Sequence, residues 1–174
     1  KVVAVTKYLP SPIWDVAFSN DFSIIGENKI QETQEKLIHC INRDKIELHM
    51  IGRLQRNKVK KAIEMFDIIQ TVDSFKLANR INNISKEKMK KTKIFLQVNT
   101  SQDTLKQGFS TQEIIEESYH IAALNNIRIC GIMTIPKNNL KKEKLRDIYK
   151  LTCEIRDKVY ESGIKSCKSL SMGM

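Results

Sequence analysis

Val2-Val3-Ala4-Val5-Thr6-Lys7 opens the chain as a β-branched apolar run that ends on a polar pair. Runs of the same kind recur downstream. They are S-I-I-G (23–26), L-H-M-I-G (48–52), D-I-I-Q-T-V (67–72), I-F-L-Q-V (94–98), I-C-G-I-M-T-I (129–135) and S-L-S-M (169–172). Each is short and nearly continuous in its apolar character, without strict alternation. Such runs suit strands buried on both faces, the pattern of a parallel sheet.

The segments between these runs carry apolar residues at helical spacing. A helix opening at Glu27 or Asn28 is expected to turn Ile30, Leu37, Ile38 and Ile41 inward. Gln55–Phe66 aligns Val59, Ile63 and Phe66, and Ser74–Ile84 aligns Leu77, Ile81 and Ile84. Ser110-Thr-Gln-Glu113 has the form of a capping box, leading into Ile114, Ile115, Ile121 and Leu124. Leu140–Ser162 reads as a long amphipathic helix with Leu145, Ile148, Ile155 and Val159 inward. Alternation of strand and helix predicts an α/β fold with a parallel sheet and right-handed crossovers. An open doubly wound sheet shares the pattern, but its Gly-rich turn after the first strand is absent, because Lys7 is followed by Y-L-P-S-P. A (β/α)8 TIM-type barrel short of its last strand-helix unit fits better. No linker or shift in composition divides residues 1–174, so one domain is expected.

The 174 residues are enough for a sizeable core, and 41% hydrophobic with 29% charged residues is ordinary for a globular protein. No apolar run is long enough to span a bilayer. The chain begins with Lys1 and stops inside S-L-S-M-G-M, so it is expected to be a piece of a longer protein, incomplete at both ends. Cys40, Cys130, Cys153 and Cys167 form no CxxC pair and have no His at metal-ligand spacing, which points to reduced thiols in a cytoplasmic protein and to no metal site. The net charge of +10 raises nucleic acid as a partner. Against it, runs such as K-K-T-K (90–93) and K-K-E-K (141–144) fall between elements or on helix surfaces, with no aromatic residues interleaved for base stacking.

Chemistry in a barrel sits at the C-terminal ends of the strands. Those ends are Lys7, Gly26-Glu27-Asn28, His49 to Gly52, Asn99-Thr100, Met133-Thr134 and Ser171 to Met174. Lys7 has two readings. Partial desolvation at the mouth favours a neutral amine able to form a Schiff base with an aldehyde. The bland alternative is a lysine that snorkels to solvent. Asn28 has a bland reading as a helix cap and His49 as a satisfied core or rim histidine. Ser171 and Gly173, two apart, share one strand face, where a hydroxyl and an open backbone N–H can hold a phosphate. Met133 and Met174 read as packing. No Ser-His-Asp or Cys-His set is arranged for nucleophilic catalysis.

Taken in order, V-A-V-T-K (3–7), G-E-N-K-I-Q-E (26–32), H-M-I-G-R-L-Q-R-N-K (49–58), V-D-S-F-K-L-A (72–78), Q-V-N-T-S (97–101), K-Q-G (106–108), G-I-M-T-I (131–135) and L-S-M-G-M (170–174) resemble the pyridoxal phosphate homeostasis protein family. The resemblance covers essentially the whole chain. It implies a barrel of the alanine racemase N-terminal type carrying pyridoxal 5′-phosphate (PLP) as a Schiff base on the lysine after the first strand, the position of Lys7. It also implies that Ser171, Gly173 and Met174 approach the cofactor phosphate, and that Asn28 and His49 lie near the mouth. The family pattern begins with a helix before the first strand, and continues past S-M-G-M with another Ser and an Arg-Ile-Gly strand. Neither part is in this sequence.

The implied function is PLP binding in intracellular vitamin B6 homeostasis, without established turnover. A reversible imine would hold PLP and release it to PLP-dependent apoenzymes or amines. Two alternatives compete: a PLP-dependent amino-acid racemase or decarboxylase barrel, and a basic nucleic-acid-binding protein without cofactor. A monomer is expected, since no helix face is unusually apolar.

Overall fold

A computed structural model describes residues 1–101, 107–137 and 139–173. Met174, expected at the cofactor phosphate, and Lys106 of the K-Q-G motif lie outside the described residues. The chain forms two compact units, Lys1–Ile69 and Gln70–Met174.

The first unit holds β1 (Ala4–Val5), α1 (Ile13–Ser19), β2 (Ile24–Glu27), α2 (Ile30–His39), β3 (Glu47–Met50), α3 (Val59–Met65) and the start of β4 (Ile68–Val72). Its strands pair in parallel in chain order. Ala4, Ile25 and Leu48 share one register level, and Val5, Gly26, His49 and Ile68 share the next. Trp14, Ile25, Leu48, Met50, Ile63, Phe66 and Ile69 are closed to solvent and form its core. Each such side chain stabilises the fold by about 1.5–3 kcal/mol on transfer from water.

The second unit holds the remainder of β4, then α4 (Phe75–Glu87), β5 (Thr92–Gln97), α5 (Ile114–Ala122), β6 (Ile127–Thr134), α6 (Lys142–Glu161) and β7 (Ser169–Met172). The strand order is β4-β5-β6-β7, again following the sequence. Ile81, Ile94, Leu96, Ile114, Ile121 and Ile132 lie in its core, with Ile148, Ile155 and Val159 of α6 also buried. All five residues of β4 are buried, as its continuous apolar run predicts. Ser74 caps α4 by accepting from the Leu77 N–H at 3.3 Å. The capping box forms as read: Ser110 Oγ accepts from the Glu113 N–H at 3.1 Å, and Glu113 Oε1 accepts from the Ser110 N–H at 3.2 Å.

Two helices differ from the sequence reading. Helix α1 was not anticipated; it starts after Pro12, whose fixed φ suits a helix entry, and it buries Trp14 and Ala17. Helix α2 buries Ile30, Thr33 and Lys36, while Ile38 and Ile41 are 77% and 85% exposed. The inward stripe includes a lysine because an acid waits for it beneath the helix.

Candidate functional site

Strand β1 ends in a tight turn. The Leu9 N–H donates to the Thr6 carbonyl at 3.2 Å, which places Lys7 and Tyr8 in the two central positions. Tyr8 has φ 65°, the positive value that a type II turn requires at its third residue. Tyrosine rarely takes this conformation, which costs about 1–2 kcal/mol in an L-residue. The turn throws Lys7 and Tyr8 into solvent, both exposed. Among the described residues the Lys7 ammonium has no carboxylate partner, and it sits 5.8 Å from the Tyr8 ring centroid. Lys29 approaches the same ring at 4.9 Å, so the aromatic face is shared by two cations. Lys29 also pairs with Glu32 at 2.7 Å, and that hydrogen bond pushes the Lys29 ammonium's pKa up and the Glu32 carboxyl's down.

Asn28 joins this group. Its Nδ2 donates to the Tyr8 hydroxyl at 3.4 Å, and its Oδ1 is buried without a hydrogen-bond partner. It does not cap α2, whose N-cap is Lys29 and carries no side-chain cap bond. Asn28 is held from behind by Gly52: a methyl group on that glycine would lie 2.1 Å from the Asn28 carbonyl oxygen.

Alternate residues of a strand share a face. Val5, Gly26 and His49 therefore line one face of this unit's sheet, while Thr6 and Glu27 lie on the other, against α1 and α2. His49 is 5% exposed, and its Nε2 sits 2.8 Å from Glu47 Oε1, two residues back on the same strand. The satisfied-histidine reading thus describes its surroundings.

In the second unit, Ser171 lies in register with Met133, and Met172 with Thr134. Ser171 Oγ donates to Gln70 Oε1 at 2.5 Å. Gly173 follows at φ 150°, with open space where a side chain would stand. Thr134 Oγ1 donates to the Val98 carbonyl at 3.1 Å and meets Thr100 Oγ1 at 2.7 Å, closing the ends of β5 and β6.

The structure thus brings Lys7 and Asn28 together around Tyr8, sets His49 on its own strand beside Glu47, and places Ser171 and Gly173 at the end of β7. Sequence reasoning missed Tyr8, whose role depends on a backbone angle. It also missed Lys36, hidden as one more charge on a charged helix. The cue for Lys36 was a lone Trp (Trp14) and an acid (Glu27) on adjacent elements.

Comparison with known proteins gives the fold and the family. The profile of the family described as alanine racemase, N-terminal domain matches residues 12–174. A pyridoxal phosphate homeostasis protein from Vibrio alginolyticus is 32% identical across all of this chain and 76% of its own length. PipY of Synechococcus elongatus PCC7942, solved without PLP, superposes with a TM-score of 0.94 at 28% identity, covering 100% of this chain and 81% of PipY. Its PLP-bound form gives 0.86 at 27% identity, with the same coverage. An alanine racemase from Clostridium difficile 630 shares the fold, with a TM-score of 0.80 at 17% identity over 98% of this chain and 48% of the racemase. The fold is accordingly α/β, of the alanine racemase N-terminal barrel type. By this profile match and by identity to its relatives, the chain belongs to the pyridoxal phosphate homeostasis protein family.

Proposed function

We propose that this chain is a PLP-binding protein of vitamin B6 homeostasis, with Lys7 Nζ as the attachment point. The carrying observation is the turn at Thr6–Leu9, which presents an exposed amine with no carboxylate partner among the described residues, at the position that the resemblance of V-A-V-T-K to the family implies for the cofactor lysine. PipY has been solved with PLP bound, and relatives bear the name of PLP homeostasis.

The residues present fit such a group. A free amine condenses with an aldehyde, forming a C=N bond and releasing water; hydrolysis restores both. Asn28 offers a buried acceptor without a partner, and His49 lies on its neighbouring strand. Ser171, Gly173 and Met174 are proposed as the phosphate side. For Ser171 and Gly173 the support is a hydroxyl at the end of β7 and a glycine with open space where a side chain would stand. Met174 is carried by the family motif alone. Residues 1–174 would serve as one PLP-binding domain.

The chain's own residues then have two tasks: Lys7 binds, and Tyr8 and Asn28 orient. PLP supplies electron-withdrawing chemistry when bound. The reading is a carrier and not a racemase, in line with the names of the relatives. PLP-dependent apoenzymes are the proposed recipients, and a cytoplasmic monomer is the proposed state. Among the described residues, no helix is long and apolar enough to cross a membrane.

The test is incubation with PLP, borohydride reduction, digestion and mass spectrometry, with Lys7→Ala beside the parent. Stoichiometric labelling at Lys7 is expected. Scattered labelling of surface lysines, unchanged in Lys7→Ala, would overturn the assignment.

A further inference from the structure

Beneath the turn, on the sheet face that carries Thr6 and Glu27, lies a buried charged cluster. Glu27 is fully buried and Lys36 is 4% exposed. Lys36 Nζ donates to Glu27 Oε1 at 2.6 Å and to the Thr6 backbone carbonyl at 2.8 Å. Thr6 Oγ1 donates to the same Glu27 oxygen at 2.6 Å, and Trp14 Nε1 at 3.0 Å. Trp14 Nε1 also lies 3.1 Å from Thr6 Oγ1. Glu27 Oε1 thus takes three donors, while its Oε2 has none.

Burying two charges is expensive, and well-packed apolar residues would serve stability as well or better. The cluster therefore calls for a reason other than stability. The Thr6 carbonyl supplies one. It accepts from Lys36 on one side and from the Leu9 N–H on the other, and that second bond closes the turn holding Lys7 and Tyr8. The Thr6 N–H is fixed as well, donating to the Gly26 carbonyl at 3.2 Å. Both ends of this one residue are pinned, and the next residue is Lys7.

We infer that Glu27 and Lys36, with Thr6 and Trp14, are positioning residues for Lys7: they lock the Thr6 carbonyl and so fix where the turn presents the amine. The inference rests on the proposed attachment of PLP to Lys7. One lysine, buried against Glu27, aims the other.

The test is the double variant Glu27→Gln/Lys36→Met. It removes both charges together, so neither is left buried without its partner. Two readouts are taken at matched thermal midpoint. One is PLP affinity. The other, made without PLP, is the acylation rate of Lys7 by a small lysine reagent, referenced to the exposed Lys76 and Lys93. We expect roughly tenfold weaker PLP binding, below the roughly hundredfold in rate that misplacing a reacting group by about 1 Å can cost. The acylation rate of Lys7 should converge on the rates of Lys76 and Lys93. An unchanged Lys7 rate and unchanged affinity in a folded double variant would overturn the inference. Should that variant not fold, Trp14→Phe replaces it. This removes one donor from Glu27 and keeps the ring bulk, and an unchanged Lys7 rate there overturns the inference equally. If the parent takes no PLP on Lys7, the proposed function fails, and the acylation readout still decides the positioning role.

Discussion

A methyl group on Gly52 would stand 2.1 Å from the carbonyl oxygen of Asn28 and 2.6 Å from its Cα. The obstacle is backbone, so no side chain can swing aside. Gly52→Ala must therefore displace the segment that carries Asn28. Overpacking of this kind costs about 1–3 kcal/mol. A urea melt should show the loss, and PLP titration should show weaker binding than the stability change alone explains. A variant with parental stability would mean that the two segments separate freely.

Removing the Ser171 hydroxyl is expected to do little to stability and more to binding. Ser171→Ala deletes the hydrogen bond to Gln70, worth about 1 kcal/mol for a neutral pair. If Ser171 contacts the phosphate, inorganic phosphate should compete with PLP less well in the variant. Equal competition in both proteins would remove Ser171 from the site.

Tyr8→Gly tests the turn itself. Glycine adopts positive φ without steric penalty but loses more backbone freedom on folding, so stability should stay within about 1 kcal/mol of the parent. The ring that faces both Lys7 and Lys29 is lost. With the ring no longer lying against them, both amines should be more open to the reagent and acylate faster in Tyr8→Gly. Slower acylation would contradict the contact.

Cys167 provides a pH prediction. Burial pushes its thiol from 9.0 up to about 12, and the residue is fully closed to solvent. The native protein should therefore resist alkylation at this position under conditions that label it in denaturant. The linkage has a definite sign. Between the two values the unfolded chain releases the proton and the folded one keeps it, so folded stability falls as pH rises through that window. The stability gap between parent and Cys167→Ala should narrow above pH 9 and hold constant below it. A gap independent of pH would show that the thiol titrates alike in both states.

Most of the strand plan is legible in the sequence, because runs such as D-I-I-Q-T-V have one reading at that length. Strand β7 matches its run, Ser169–Met172, residue for residue. Strand β1 shrinks from the four residues of V-V-A-V to Ala4–Val5, since pairing partners for Val2 and Val3 depend on tertiary context. Helix α1 escaped because its stripe is short and follows two prolines, Pro10 and Pro12. The α2 stripe was misplaced for an electrostatic reason: hydropathy counts Lys36 as surface, and only the position of Glu27 makes its burial tolerable. Lys7 was legible as a polar residue closing an apolar run. The surrounding turn was not, because nothing in the letters of Tyr8 announces a left-handed backbone.

The Ser171–Gln70 hydrogen bond joins positions 101 residues apart. Closing so long a loop is slow in entropy terms, and contacts of high sequence separation form late. On a ribosome the order is stricter, for Gln70 emerges long before Ser171 exists. A nascent chain would thus display Lys7 and its turn while the proposed anion-holding strand is still unmade. Emergence of β7, more than the folding of the first unit, would mark the moment at which such a protein becomes competent to capture its ligand.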